Sequence, residues 1–475
     1  MAPADMERDA GRPHDLADGD SPAPGATGMK TVTFTLSDLL ELHRLAATER
    51  LESCAVGFVH RAGGGQDGPR YTVREVMHPP ETAYLNRSPS RASLSPEFMV
   101  TVANRARVLK GGVAMLHTHP GMHPFEGFSS EDDHGEAALQ PYFAARVPGQ
   151  DHFTAVVTHS AVHMRDMGGT TPVTARAVGS SVRRYTGTDD YAEDARYDRQ
   201  MRAFGPDGQA SLRNVAVAVV GLGGTGSIVA QQLAHLGVGR LLLIDHDVVD
   251  RTNLNRLLGA TPSDVGKLKV EVARAAVQAI NPAAHCEALE GDVVDGAVAG
   301  RLAEMDFIFG CTDSMASRSV LNQLAYQYLI PTIDMGVAIH LVDGRIASVT
   351  GRVQMLAPGL GCMVCADGID GQAVRWELMT PAQRHADPYF VGASVPQPAV
   401  LPLNGTVTSA AVTMFLSVLT SYPTEARLLH YDGIRGSVRP QVLPPRQNCI
   451  VCSSEGALAR GMSWALPVRH EHVES

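Results

Sequence analysis

The sequence predicts an α/β protein of two domains in tandem. Three observations carry that reading. Over residues 30–183, strand-like and helix-like patterns alternate. From about residue 195, a glycine-rich turn between a strand pattern and a helix pattern opens a series of short apolar strands with helical segments between several of them, the signature of a parallel sheet. Between the two, TGTDDYAEDARYD is polar and aperiodic, and residues 184–194 are expected to be a linker. At 475 residues the chain has room for two or three domains of roughly 100–200 residues each.

Residues 1–29 are rich in Asp, Pro, Gly and Ala, which predicts a disordered leader. They lack the basic start and apolar core of a signal peptide, so the expected location is cytoplasmic. TVTFTL, SCAVGFVH, YTVREVM, GGVAMLHTH and FTAVVTH read as strands. SDLLELHRLAATERL and SPEFMVTVANRARVL read as amphipathic helices. In the second half, VAVAVVG, RLLLID, DFIFGCTD and IPTIDMG are the strand candidates. Residues 456–475 show little pattern and are read as a tail. The formal net charge of −10 gives no electrostatic case for nucleic acid or membrane as a partner. No apolar run approaches the length of a membrane span.

VAVAVVGLGGTGSIVAQQLAHLG is strand, turn, helix. Gly221, Gly223 and Gly226 satisfy the dinucleotide fingerprint, with Gly224 and Ser227 in the same turn. Such glycines let backbone N–H groups approach a phosphate at a helix N-terminus. Asp245 ends the next strand, where an acid bonds ribose hydroxyls. So far NAD, ATP and a purely structural turn all remain open. Asn253, Arg256 and Lys269 follow the acid, and Asp313 ends another strand. Hydride transfer has no use for fixed cations beside the phosphates. Attack by a carboxylate on an α-phosphate does, because charge builds on the phosphorus oxygens and on the leaving pyrophosphate. Asp313 is suited to Mg²⁺. Singly, each of these residues reads as a surface or capping group; their order on successive strand ends is what points to ATP.

RYDRQMRAFGPDGQASL, GLGGTGS, DHDVVDRTNLNR, VGKLKVEVAR, GCTDS and two Cys-x-x-Cys pairs, over residues 195–455, resemble the ThiF/MoeB family, the adenylating domain of ubiquitin-activating enzymes. The resemblance implies a Rossmann-like domain with a mixed sheet. It implies ATP-dependent adenylation of a ubiquitin-like protein's C-terminal carboxylate. Asp245 and Asn253 would contact nucleotide, Arg256 and Lys269 would stabilise the phosphates, and Asp313 would serve Mg²⁺. Arg199 would reach the nucleotide of a second subunit, so a homodimer is implied.

Of seven cysteines, Cys362 with Cys365 and Cys449 with Cys452 form the two pairs. They can close a tetrahedral thiolate site; buried thiols or a redox pair are the alternatives. The family resemblance implies a structural Zn²⁺. No cysteine lies between Cys365 and Cys449, where thioester-forming relatives carry their nucleophile. The chain is therefore expected to stop at the acyl-adenylate, or to hand it to another protein. The other thiols are Cys54, Cys286 and Cys311.

HTHPGMHPFEGFSSEDD raises a second site. In a strand, His117 and His119 face the same side. Ser-Ser-Glu-Asp-Asp reads as a helix start, from which Asp132 can serve as a third ligand. His₂Asp with one open position suits a catalytic zinc, although acids in a first turn are also ordinary capping. Glu52 stands at a helix–strand junction, with Glu49 as a rival, where a base for a metal-bound water is needed. Glu, His-x-His-Pro and Ser-x-x-Asp, within residues 30–183, resemble the JAMM (JAB/MPN) metalloprotease family. The resemblance implies that His117, His119 and Asp132 bind a catalytic zinc, that Glu52 is the acid/base, and that Ser129 stabilises the oxyanion. HPFEG lengthens the usual gap, Ser130 with Asp133 fits equally well, and Ala55 stands where glycine is usual.

Together the resemblances imply a bifunctional enzyme of a bacterial ubiquitin-like system: it adenylates the small protein and acts on it as a zinc (iso)peptidase for processing or deconjugation. The alternative is processing and adenylation of a sulfur-carrier protein, for thiocarboxylate formation in cofactor, siderophore or amino-acid biosynthesis. A separate conjugating or sulfur-donor protein is an expected further partner. A degenerate binding scaffold and an NAD dehydrogenase are the remaining readings.

Overall fold

The computed structural model describes residues 28–65, 68–121, 125, 127–185, 194–379 and 398–469. Residues 1–27 of the expected leader and 186–193 of the expected linker lie outside that set. The first domain runs β1 (Thr31–Thr35), α1 (Leu36–Thr48), β2 (Cys54–Gly65), β3 (Gly68–Met77), β4 (Tyr84–Ser88), β5 (Arg91–Leu94), α2 (Pro96–Leu109) and β6 (Gly112–Thr118). It continues through α3 (Ser130–Arg146), β7 (Phe153–Val157), β8 (Val162–Asp166), β9 (Pro172–Val178) and β10 (Val182–Tyr185). The sheet order is β1-β3-β2-β6-β7-β8-β9-β10, and β1 also pairs with β9, so the sheet closes on itself. One face packs Phe34, Leu116, Phe153 and Ala175 beneath Leu39 and Leu42 of α1. The other packs Val56 and Phe58 against Phe98 of α2 and Phe143 of α3. Caps set the helix starts: Thr35, Ser95 and Ser129 each accept a hydrogen bond from an amide three residues on.

The second domain starts at α4 (Asp198–Asn214), kinked at Gly205, where φ is 77°. It continues with β11 (Ala216–Val220), α5 (Gly226–Leu236), β12 (Arg240–Asp245), α6 (Lys269–Ile280), β13 (His285–Glu290), α7 (Gly296–Leu302), β14 (Phe307–Gly310) and α8 (Met315–Gln327). The last elements are β15 (Thr332–Val342), β16 (Arg345–Leu356), α9 (Gly371–Leu378), α10 (Leu401–Leu419), β17 (Leu428–Asp432) and β18 (Ser437–Pro440). The sheet order is β13-β12-β11-β14-β15-β16-β17-β18. The first five strands are parallel and the remainder antiparallel, so the sheet is mixed rather than wholly parallel.

One expectation is corrected here. The 19-residue α10 is, by length and composition, apolar enough to cross a bilayer. It is a core helix: Phe415 packs against Phe307 and Phe309, with ring centroids at 4.8 and 5.4 Å. Its lack of charge comes from lying between α5 and strands β15 and β16.

The two domains meet over a buried ion cluster. Asp306, just before β14, lies 3.1 Å from Arg70 of β3 and 3.5 Å from Arg176 of β9. Burial alone would raise the Asp306 carboxyl; the two guanidiniums outweigh it and hold the carboxyl near 2. Arg70 also donates to the Met305 carbonyl at 2.8 Å, and Arg176 to the Asp306 carbonyl at 2.6 Å. Residues after 455, expected as a tail, add a clamp. Thr72 donates to the Ala459 carbonyl at 2.9 Å, and Arg74 donates to the carbonyls of Leu458 and Ser454. On the other side, Gln327 of α8 donates to the carbonyls of Gly461 and Trp464 at 2.7 and 2.6 Å. The segment lacks periodicity because loop backbone, not a helix or strand face, makes these contacts.

Candidate functional site

The glycine loop joins β11 to α5 at the carboxyl end of the parallel strands. Gly221 has φ 87°, and a Cβ there would lie 2.8 Å from the Cys311 carbonyl. A Cβ at Gly226 would collide with the Gly221 carbonyl. These two glycines let the loop fold tightly against the end of β14. Gly223 is different: nothing lies within 4 Å of where its Cβ would be, so its surface is open to a ligand.

Asp245 ends β12 and is 8% exposed. Its Oδ2 accepts the Leu222 amide at 2.6 Å and its Oδ1 accepts the Asp247 amide at 2.8 Å. The acid thus ties the glycine loop to its own turn. Lys269, the first residue of α6, places Nζ 2.6 Å from Asp247 and 4.0 Å from Asp245. Burial would raise the Asp247 carboxyl, but its bond from Lys269 holds it below the usual range. Arg256 flanks Gly224 and donates to the Thr252 carbonyl at 2.7 Å. Asn253 Oδ1 accepts the Asp250 amide at 3.1 Å, a capping role. Ser227 is buried, and its Oγ accepts the Leu258 amide at 3.1 Å, anchoring the Arg256 loop onto α5. Asp313 is exposed in the turn after β14. Arg199 is exposed on the first turn of α4.

Residues without a sequence signal also stand here. Glu377 of α9 accepts the Ser314 hydroxyl at 2.6 Å and the Ala316 amide at 2.8 Å, beside Asp313. Asn404, in the first turn of α10, reaches Gly224. Both come from segments more than 60 residues beyond Asp313, and neither belongs to a motif.

The four paired cysteines converge as the spacing predicts. Cys362 lies 3.7 Å from Cys365 and 3.5 Å from Cys449, and Cys365 lies 3.4 Å from Cys452, sulfur to sulfur. Disulfide sulfurs would be about 2.0 Å apart. Zinc–sulfur bonds of about 2.3 Å put tetrahedral sulfurs about 3.8 Å apart, so the donor set fits Zn²⁺. A hydrogen bond from Cys452 holds the Cys362 thiol below the usual range. Its partner Cys452 is pushed well above that range by the same bond, and the thiols outside the cluster are raised too. Burial pushes Cys54 up to about 12 and Cys286 to about 11, and raises Cys311 further. None of the three is primed as a nucleophile.

In the first domain, His117 and His119 leave the end of β6 together, ring centroids 5.2 Å apart. Asp132 Oδ1 lies 3.3 Å from His117 Nε2. One donor atom from each of His117, His119 and Asp132 falls within 4.8 Å of the others, which fits a metal. Of the two frames, the structure brings in Ser129 and Asp132. Ser130 is the first residue of α3, and Asp133 turns away to pair with Arg165 at 2.6 Å. Burial, against the pull of Asp132, lowers His117 to about 4 and lowers His119 as well, so both are neutral, as ligands must be. Glu52 is buried, 4.0 Å from His119 Nε2. Burial, then the charge of Asp132, raises it to about 7. Glu49 is exposed at the end of α1. Ala55 is buried in β2, beyond the turn that carries Glu52. Of the HPFEG residues, Phe125 stacks on His163 at 3.8 Å; His123, Pro124 and Glu126 lie outside the described residues.

A phosphate-ready glycine loop on a mixed α/β sheet, with cations and an acid at neighbouring strand ends and a cluster of four cysteines, defines a nucleotide-using domain of the adenylating class. Comparison with known proteins makes the assignment specific: the chain belongs to the ThiF family, which matches residues 197–451. Molybdopterin-synthase adenylyltransferase of Escherichia coli is 32% identical over 264 residues, covering 55% of this chain and 96% of that protein. The SAMP-activating enzyme E1 of Haloferax volcanii is 30% identical over 277 residues, 55% of this chain and 89% of that protein. Adenylyltransferase and sulfurtransferase MOCS3 of Drosophila willistoni is 30% identical over 275 residues, 55% of this chain and 54% of that protein.

Proposed function

We propose that the second domain adenylates the C-terminal carboxylate of a sulfur-carrier protein of ubiquitin-like type, with ATP and Mg²⁺, for later thiocarboxylate formation. The observation that carries this is the open glycine loop of a ThiF-family domain, with Arg256 beside Gly224 and Lys269 against Asp245, the acid that ties that loop, and its neighbour Asp247. The carboxylate attacks the α-phosphorus, a phosphorus–oxygen bond forms, and the bond to pyrophosphate breaks. Lys269 and Arg256 meet the charge that develops on the phosphate oxygens. Asp313 and its exposed turn supply the place for Mg²⁺. Arg199, exposed on α4, is free to serve a second copy, so the working unit proposed is a homodimer in the cytoplasm. The raised thiols support release of the adenylate to a separate sulfur-donor protein.

For the first domain, the proposal is a peptidase that exposes the carrier's C-terminus. Zinc held by His117, His119 and Asp132 would supply an activated water. Glu52, near 7, takes a proton at its carboxylate and passes it to the leaving amine. A second reading, modification of other proteins and removal of the modifier, is favoured by the likeness to the SAMP-activating enzyme. ATP–pyrophosphate exchange with candidate carriers tests the first reading. If no carrier supports exchange and Asp313→Ala changes nothing, adenylation is wrong. Carrier linked to target lysines, and freed by the wild type but not by Glu52→Gln, would select the second reading.

A further inference from the structure

We propose that Asn404 is a further nucleotide-binding residue, donating its side-chain amide to a phosphate oxygen of ATP above the glycine loop. This rests on the adenylation reading. The buried face of α10 carries Val407, Ala411, Val412, Met414, Phe415 and Val418 together with the polar Thr408 and Ser417, and Asn404 lies at its N-terminal end at 6% exposure. The amide atoms of Asn404 are not sealed from solvent, unlike Thr408 Oγ1 on the same helix, so they face a space that a ligand can enter. Among the described residues the Asn404 side chain has no hydrogen-bond partner; only its backbone amide bonds, to Val400.

The direction of the side chain supplies the reason. A Cβ at Gly224 would collide with Asn404 Nδ2, while the Cγ and Cβ of Arg256 lie 3.4 and 3.5 Å away from that point. Gly224 does not have the positive φ that would demand glycine, unlike Gly221. Its missing side chain is explained by space: it lets an amide and a guanidinium side chain approach the loop together. Gly223 beside it faces open space. An N–H donor, a cation and a bare backbone loop at the start of α5 make a receptor for an anionic oxygen. Asn404 comes from the helix that begins after residues 380–397, so the phosphates would be contacted from both halves of the Rossmann-like domain.

The test uses the full chain and ATP itself. Asn404→Ala is expected to weaken ATP binding about tenfold or more, the loss typical of a hydrogen bond to a charged group. Asn404→Asp should weaken it further by placing an anion against the phosphates. Adenosine, which lacks phosphates, should bind wild type and both variants alike. The thermal midpoint of ligand-free Asn404→Ala should not fall, because no hydrogen bond is lost. ATP affinity within twofold of wild type in Asn404→Ala would overturn the inference and leave the adenylation reading standing. Equal losses for ATP and adenosine would also overturn it, as a packing effect. Should Asn404→Ala not fold, Asn404→Ser, which keeps a short donor, is read by the same ATP-to-adenosine ratio. Failure of the wild type to bind ATP removes both claims.

Discussion

Asp132 uses its two carboxylate oxygens for different tasks: Oδ1 lies 3.3 Å from His117 Nε2, and Oδ2 accepts both the amide and the hydroxyl of Ser129, at 2.7 and 2.9 Å. One side chain thus caps α3 and completes the histidine site. Asp132→Asn should keep much of the cap and lose the metal. Metal analysis should then fall from two zinc ions per chain to one, with stability of the metal-free chain changed by about 1 kcal/mol or less. Two retained zinc ions would remove Asp132 from the ligand set.

Lys269 stands between Asp245 and Asp247, and its loss leaves two carboxylates uncompensated beside the phosphate loop. Lys269→Ala should lower pyrophosphate exchange by about 10²-fold or more. Lys269→Arg, which restores the charge, should recover part of that loss. Equal activity of Lys269→Ala and wild type would exclude a phosphate role.

Cys449 and Cys452 lead directly into the residues that clamp the domains together. Zinc removal is therefore expected to loosen the seam as well as the knot. In Cys449→Ser, limited proteolysis between residues 454 and 464 should speed up, and hydrogen exchange should rise at β3. Gly461→Ala should mimic this with zinc retained, because φ is 50° there and a Cβ would collide with the Arg61 carbonyl. Its expected cost is about 1–3 kcal/mol. An unchanged seam in both variants would mean that Arg70, Arg176 and Asp306 hold it alone.

His60 carries an acid-sensitive part of that seam. Its Nε2 donates to the Leu109 carbonyl at 2.7 Å, and its Nδ1 lies 3.3 Å from Ser463 Oγ. Burial, aided by Arg74 and Arg460 and opposed by the Leu109 carbonyl, pushes its pKa below the ordinary 6.5. Above 6.5 the ring is neutral folded and unfolded, and its contribution is whole. As the pH falls below that value, the unfolded chain takes a proton that the folded chain refuses. Stability then drains until the folded pKa is reached. Urea melts should lose about 1.4 kcal/mol per pH unit from this group. His60→Gln should flatten that slope by one proton; an unchanged slope would rule His60 out.

The parts legible in the sequence are those that neighbours in the chain define. β1, β2, β3, β6 and β7 follow their apolar patterns, and so do α1 and α2. Two of the missed strands have weak signals: β13 is an edge strand with no fully buried residue, and β18 pairs on one side only; β9 and β16 are interior strands whose apolar pattern is broken by Thr174 and Arg176 and by Arg352 and Gln354. Edge strands bury too little to impose a pattern. α10 escaped notice because it holds no charged residue, and its Thr and Ser side chains lie on buried and exposed faces alike, so no polar face marks a helical period.

By itself the sequence determined which short motifs could supply ligands, because local geometry governs them. His-x-His must share a strand face, Cys-x-x-Cys must present two thiols to one side, and a glycine turn between strand and helix must bare its amides. Tertiary structure alone decided which residues complete each set. It selected Asp132 over Asp133, brought Asn404 to Gly224, buried Asp306 between Arg70 and Arg176, and turned residues 456–469 into a clamp. Those juxtapositions join segments tens to hundreds of residues apart. They depend on helix phase, sheet order and the approach of two domains, none of which local spacing encodes.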